Sequence, residues 1–243
     1  MKKWMRGTLS THHLHKRKDI SMGKPFALFD FDGTLIPGDS MLRFCLFARE
    51  QGLMSRRQLW LSAWAALRYL LGMLSAEKSK NVALSFLAGK SQEELAELSA
   101  RFYRDVLRAM LRPQAITALQ RHLRDGLTVL LVTASPSFYL EPLRAEYGIG
   151  GVIATRMDID RDGKVTGLVC GDNCKGVQKP LRLAEYLAST GDRLDYESSY
   201  AYGDSGSDYP MLALCGHKVA VNPSGRLWKK LRRKPGAVSV HWE

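Results

Sequence analysis

Asp30 and Asp32 stand two residues apart, followed directly by Gly33 and Thr34. The apolar run Phe26-Ala27-Leu28-Phe29 before them predicts a buried strand. Both carboxylates therefore sit where a strand stops and the chain turns. Residues two apart on an extended chain share a face, so both can address one site. Gly33 permits a sharp turn and a close backbone approach. The chemistry that suits this arrangement is phosphoryl transfer. One Asp attacks, the other moves a proton, and a hard cation lies between carboxylate and phosphate. An Asp-rich turn that merely caps a helix would read the same over five residues, so the rest of the chain must supply the context.

Three later stretches supply it. The run 127–132 (Leu-Thr-Val-Leu-Leu-Val) predicts a second buried strand and leads into Thr133-Ala134-Ser135-Pro136. A hydroxyl at a strand end beside a helix start can donate to a phosphate oxygen, and Pro136 suits a first helical turn. An ordinary Ser/Thr cap is the plainer reading of these residues alone. Lys179-Pro180 predicts the opening of a helix, with Leu183 and Leu187 continuing its apolar face. Lys179 can then neutralise the charge of nucleophile and phosphate, with Lys175 as its rival and a solvated surface Lys as the bland alternative. Ser199-Tyr200-Ala201-Tyr202-Gly203 predicts a third strand, ending in Asp204-Ser205-Gly206-Ser207-Asp208. Here Asp204 would ligate a metal, and Asp208 in the first turn of the next helix would orient a bound water or Lys179. A Gly-Asp turn with a helix cap is the alternative. What unites these stretches is position: in open parallel α/β sheets, ligands bind outside the carboxyl ends of the strands.

In these residues the chain resembles the haloacid dehalogenase superfamily of aspartate-nucleophile phosphatases. The resemblance is carried by Asp30-Phe31-Asp32-Gly33-Thr34, Thr133, Lys179 and the run from Gly203 to Asp208, and spans nearly everything after residue 24. More narrowly it resembles the phosphoserine-phosphatase-like branch, subfamily IB, which inserts a helical cap directly after the first motif. The run from Asp204 to Leu212 and Cys215-Gly216-His217-Lys218 are also similar to bacterial phosphatidylglycerophosphate phosphatases. The resemblance implies an α/β fold with a Rossmann-like parallel core, residues 24–35 and 113–243, and a helical cap, residues 36–112. It implies that Asp30 is the nucleophile and Asp32 the general acid and base, its backbone carbonyl also binding metal. Gly33, Thr133 and Ala134 would hold phosphate oxygens, and Lys179 would stabilise the transferring group. Asp30, Asp32 and Asp204 would bind Mg²⁺, with Asp208 in support. Asp39 lies where phosphoserine phosphatases carry a substrate-binding Glu, and its shorter side chain departs from that pattern. Elementary chemistry agrees: a phosphate dianion repels an Asp nucleophile, so a cation and a lysine must offset the repulsion.

The chain has 243 residues, enough for one buried core and an inserted subdomain. Its four cysteines show no paired metal-binding spacing and are expected as reduced thiols of a cytoplasmic protein. The net charge of +12 is concentrated at both ends. Residues 1–23 form a basic, polar tail without the apolar segment of a signal peptide. Its His12, His13 and His15 could suggest a metal site, but in so polar a tail they are expected to be disordered, and translation starting at Met22 would remove the tail without touching the fold. Such charge attracts anionic lipid or nucleic acid, but no aromatic RNA motif or zinc finger supports nucleic acid. Residues 59–74 are helical by composition and apolar on nearly every face. Trp60, Trp64 and Tyr69 are residue types of bilayer interfaces, and Arg56 and Arg57 precede them. The segment is shorter than the ~20 residues of a span, and Arg68 interrupts it. It reads either as cap core or as a lipid-contacting helix. Ser91 and Glu94 form a capping box for a helix reaching about Met110, Pro113 marks the return to the core, and Asp160-Arg161-Asp162-Gly163 predicts a hairpin turn.

These observations lead to a Mg²⁺-dependent phosphomonoester hydrolase working through an aspartyl-phosphate. The apolar helix and basic ends tilt the substrate toward a lipid-linked phosphate such as phosphatidylglycerophosphate. A small soluble ester such as phosphoserine is the alternative, ahead of a phosphotransferase or a non-catalytic membrane-surface protein. The expected location is cytoplasmic, peripheral to an anionic inner membrane face in the lipid case.

Overall fold

The computed structural model describes residues 23–243; the tail expectations, including Met22 and the histidines, lie outside the described residues. Seven strands form one sheet in the order β4-β3-β2-β1-β5-β6-β7. They are β1 (Phe26–Phe29), β2 (Thr128–Pro136), β3 (Gly151–Ile159), β4 (Val165–Cys170), β5 (Tyr200–Gly203), β6 (His217–Val221) and β7 (Ala237–Val240). All neighbours are parallel except β3 and β4, the hairpin expected around Asp160. The Asp160 carboxylate shapes that turn by accepting from the backbone N–H groups of Asp162 (3.0 Å) and Lys164 (2.8 Å).

Strand β1 is central and entirely buried, which explains its unbroken apolar run: a strand covered on both faces has no polar side to show. Ala27 and Phe29 face one apolar cluster, and Phe26 and Leu28 the other. From β1 the chain order runs outward through β2 and β3 on one side and through β5, β6 and β7 on the other. The end of β1 is therefore a topological switch point, where a crevice opens between diverging connections.

Between β1 and β2 the chain forms α1 (Ser40–Glu50), α2 (Arg56–Leu70), α3 (Ala76–Leu84), α4 (Gln92–Phe102), α5 (Arg108–Met110) and α6 (Pro113–Arg124). The capping box at Ser91 and Glu94 is present, and a π-turn over Tyr103–Leu107 joins α4 to α5. Pro113 opens α6 at its first position, where a missing N–H costs nothing. Leu84, Leu87, Leu95, Leu98 and Phe102 join Phe29 and Leu131 in one apolar cluster, so these helices share a core with the sheet. The remaining helices are α7 (Glu141–Tyr147), α8 (Gln178–Thr190), α9 (Tyr209–Leu212) and α10 (Gly225–Leu231).

Helix α2 begins and ends earlier than its composition suggests, because Ser55 and Gln58 form a capping box and Leu71 and Gly72 close its C-terminal end. It is not cap core: only Ser62 and Ala65 are buried, while Trp60, Trp64, Leu67 and Leu70 are exposed. Among the described residues no helix is long and apolar enough to cross a membrane. The four cysteines are free, as expected. Pro136 does not open a helix. It ends β2 opposite Thr155, after a register shift that follows Val132.

Candidate active site

The ends of β1 and β5 and the start of α8 converge on one buried group of charges. Asp30 directly follows β1, and its N–H continues the ladder by donating to the Tyr202 carbonyl at 3.0 Å. Lys179, in the first turn of α8, donates from Nζ to Asp30 Oδ1 (2.7 Å) and Asp208 Oδ1 (2.6 Å). The other oxygen of Asp208 accepts from the Ser205 N–H (2.9 Å) and hydroxyl (2.8 Å). Asp208 thus sits at the N-cap position of α9 rather than within its first turn. Asp30, Asp204 and Asp208 each bring an oxygen within 4.8 Å of the others. Gly33 makes this possible. It holds φ +78, and a Cβ there would run into the Asp204 carboxylate.

Burial pushes the Asp30 carboxyl up to about 8, with the Asp208 charge adding to it and Lys179 opposing. Burial and Asp208 likewise raise Asp204 to about 7. Burial works against the charge of Asp208 too, yet Lys179 and Ser205 hold it below the ordinary range. Lys179 is also penalised by burial, but the two carboxylates keep its ammonium well above its usual value. One ammonium therefore faces three carboxylates and bonds two of them, Asp30 and Asp208. The oxygen donors and the uncompensated repulsion fit a hard divalent cation, which prefers carboxylate and carbonyl oxygens.

Residues 27–213 match the haloacid dehalogenase-like hydrolases. The chain belongs to that family. It is similar to a histidinol-phosphatase of Neisseria meningitidis serogroup C, 31% identical over 87% of this chain and 96% of the relative. It is also similar to a phosphoserine phosphatase of Mycobacterium tuberculosis, 30% identical over 86% of this chain and 68% of the relative. A solved Bordetella pertussis protein of unknown function superposes with a TM-score of 0.80 at 34% identity, covering 89% of this chain and 99% of its own. A phosphoserine phosphatase with an analogue of its phospho-aspartyl intermediate shares the fold at a TM-score of 0.61 and 22% identity, covering 90% of this chain and 93% of its own.

In this family member the second carboxylate of the first motif has its own surroundings. Asp32 accepts from the Ser40 N–H at 2.7 Å and from the Ser135 hydroxyl. The Ser40 hydroxyl meets Ser135 at 3.0 Å and Tyr139 at 2.8 Å, closing a buried hydroxyl network behind Asp32. Burial raises Asp32 to about 6, helped by the charge of Asp39 and resisted by the bonds from Ser135 and Ser40. Thr133 is buried within β2, three residues before its end and just past the register shift that follows Val132, and its hydroxyl accepts from the Ser135 N–H at 3.1 Å. Asp39 is exposed and caps α1, accepting from the Leu42 N–H at 2.9 Å. Its carboxylate therefore already has a structural task on the rim of the site.

Lys175, the rival lysine, is exposed and turns away from the carboxylates. Its ammonium donates to the Tyr69 hydroxyl of α2 at 3.0 Å. A second lysine that the sequence does not single out does reach the neighbourhood. Lys80 of α3 donates to the Ala134 carbonyl and to Asn173 Oδ1, with Thr155 Oγ1 at 3.4 Å. Glu77 and Asn81 of the same helix accept from the Asn173 (3.1 Å) and Val169 (2.8 Å) N–H groups. Helix α3 is thereby tied to the segment after β3, beside the strand end that carries Thr133. Burial lowers Lys80 to about 8, although Asp32 and Asp39 favour its charge. Positions 77, 80 and 81 share a helix face, the one signal available in the sequence.

Proposed function

We propose that this hydrolase is a Mg²⁺-dependent phosphomonoesterase in which Asp30 is the nucleophile. The single observation that carries the proposal is Lys179 bridging Asp30 and Asp208 beside Asp204, at the switch point of the sheet. Asp30, Asp204 and the Asp32 backbone carbonyl would hold Mg²⁺, with Asp208 in support. When bound, the cation supplies positive charge that offsets repulsion between the Asp30 carboxylate and a phosphate dianion.

The chain's own groups then divide the work. An Asp30 oxygen attacks phosphorus as the ester P–O bond breaks, and Asp32 delivers its proton to the departing alcohol oxygen. Burial raises the pKa of Asp32 to about 6, which leaves a fraction of it with a proton to give near neutral pH. In the second step the Asp32 carboxylate takes a proton from water. The water oxygen attacks phosphorus, the bond to Asp30 breaks, and inorganic phosphate leaves. Lys179 holds Asp30 in line and offsets charge on the transferring group. Thr133, Ala134 and the turn at Gly33 would cradle the phosphate oxygens, and residues 36–112 would act as the cap over residues 24–35 and 113–243.

We favour a small phosphate ester that carries an amine. Phosphoserine and histidinol phosphate, the substrates in the relatives' names, are both of this kind, and exposed Asp39 offers an anionic group at the rim. A lipid-linked phosphate such as phosphatidylglycerophosphate is the second reading, with a cytoplasmic enzyme working at the inner membrane face. The exposed apolar face of α2 is what favours it. The test is phosphate release from phosphoserine, histidinol phosphate and phosphatidylglycerophosphate, with Mg²⁺ and with chelator, beside Asp30→Asn. Release should require the metal and fall by roughly 10⁴-fold or more in the variant. A folded, metal-loaded protein that releases phosphate from none of them would overturn the proposal.

A further inference from the structure

Helix α2 turns the usual amphipathic pattern inside out. Its buried positions are the small residues Ser62 and Ala65, through which a narrow seam meets its neighbours. Its outward positions include Trp60 at 64% exposure, Trp64 at 50% and Leu67 at 43%, with Leu71 at 65% just past its end. These four are spaced i, i+4, i+7 and i+11, so they form a single stripe along the helix. The two indoles lie parallel, 6.1 Å between centroids and 4° between planes, as one flat aromatic plate. Exposed Leu70 in the last turn and Met73 beyond it widen this surface, and α1, which packs beside α2, leaves Leu42 and Leu46 exposed as well. Scattered apolar side chains on a surface need no explanation, but a continuous stripe does.

The charge of the segment selects the occupant. Residues 51–76 contain Arg56, Arg57 and Arg68 and no Asp or Glu. A second copy of this chain would bring like charge against like charge. An anionic bilayer offers the opposite charge to the arginines and an apolar interior to the leucines, with the headgroup level where indole rings are favoured. We propose that the outward face of α2 is a docking surface for an anionic lipid bilayer. The helix lies along the interface with Trp60 and Trp64 inserted and Arg56 and Arg57 against lipid phosphates. Tyr69 lies on the opposite, inward side of the helix, where it accepts from Lys175 in the segment that leads into α8, so the lipid-facing stripe is free of that contact. The proposal concerns binding alone and stands or falls independently of the reaction.

The test is co-sedimentation of the full chain with vesicles of phosphatidylcholine alone and of phosphatidylcholine mixed equally with phosphatidylglycerol. The wild type should bind the mixed vesicles and leave the neutral ones. Trp60→Ser with Trp64→Ser should weaken that binding by about a hundredfold, because each buried indole contributes a factor of about ten. The melting temperature and the release of phosphate from a soluble ester should stay unchanged. Three results would overturn the proposal. One is a wild type that ignores the mixed vesicles. Another is equal binding by the double variant, which would assign the lipid contact to the basic ends of the chain. The third is a concentration-dependent dimer in light scattering that dissolves in the variant, which would make a second copy the occupant.

Discussion

At the carboxyl edge of the sheet, two carboxylates and an ammonium are withdrawn from water; on α2, two indoles and three leucines are left in it. Each region reverses the ordinary preference of its side chains, and the reversals are resolved differently. Asp30 and Asp208 are answered within the chain by Lys179, and Asp208 by Ser205 as well. Burying charge is tolerable when partners of opposite sign and hydrogen-bond donors are built around it. Nothing among the described residues covers Trp60, Trp64, Leu67 or Leu70. A region completed internally is a site of chemistry in the fold's own interior, while a region left incomplete depends on something outside the chain.

The largest expected effect breaks the internally completed region. Lys179→Ala leaves two buried carboxylates facing each other and should lower stability by about 3–5 kcal/mol in urea unfolding, with loss of activity. Trp60→Ser with Trp64→Ser should change stability by no more than about 0.5 kcal/mol, since both residues are at least half exposed. Equal losses in the two variants would erase the contrast.

A second measurement asks how complete the charge compensation is. Asp30 and Asp204 are raised to about 8 and about 7 from an ordinary value of 3.8, so the folded state keeps protons that the unfolded chain releases. The metal-free protein should therefore lose stability as pH climbs from about 4 to about 8. Mg²⁺ must displace those protons within and below that window and competes with few above it. The rise in melting temperature on adding Mg²⁺ should be larger near about pH 8 than near about pH 5.5. An equal or reversed gain in calorimetry would remove the repulsion argument for a cation at this site.

The smallest effect is a shift of a limb in the pH profile. Ser135→Ala removes a donor that favours ionised Asp32, so its carboxyl should rise above about 6. In the proposed reaction Asp32 serves as the acid when protonated, so kcat/KM should fall as pH passes through this value. The alkaline limb should move upward by about one unit in the variant. An unmoved limb would assign the proton to another group.

Much of this was legible locally. Apolar runs ending in carboxylates or hydroxyls marked β1, β2 and β5, because a strand buried on both faces cannot carry polar residues until it emerges. The capping residues of α4 and the turn at Asp160 were equally local, since each is set by hydrogen bonds across a few residues; the Ser55 box that starts α2 is as local, yet the apolar composition drew the start to residue 59 instead. The Asp30 pair, Thr133, Lys179, Asp204 and Asp208 could be nominated from their position at such ends. The apolar composition of α2 marked the helix but could not say which stripe faces inward, because it is apolar on nearly every side.

Only the tertiary structure separated Lys179 from Lys175. Both lie near the start of α8, and the packing of that helix against the sheet aims one at Asp30 and leaves the other with Tyr69. It alone assembled Ser40, Ser135 and Tyr139 behind Asp32, from positions up to 99 residues apart, and brought Lys80 to Ala134 and Asn173. The reason is physical. A strand, a cap or a turn is decided by neighbours along the chain. A buried polar network and the exposed face of a helix are decided by which distant surfaces exclude water together.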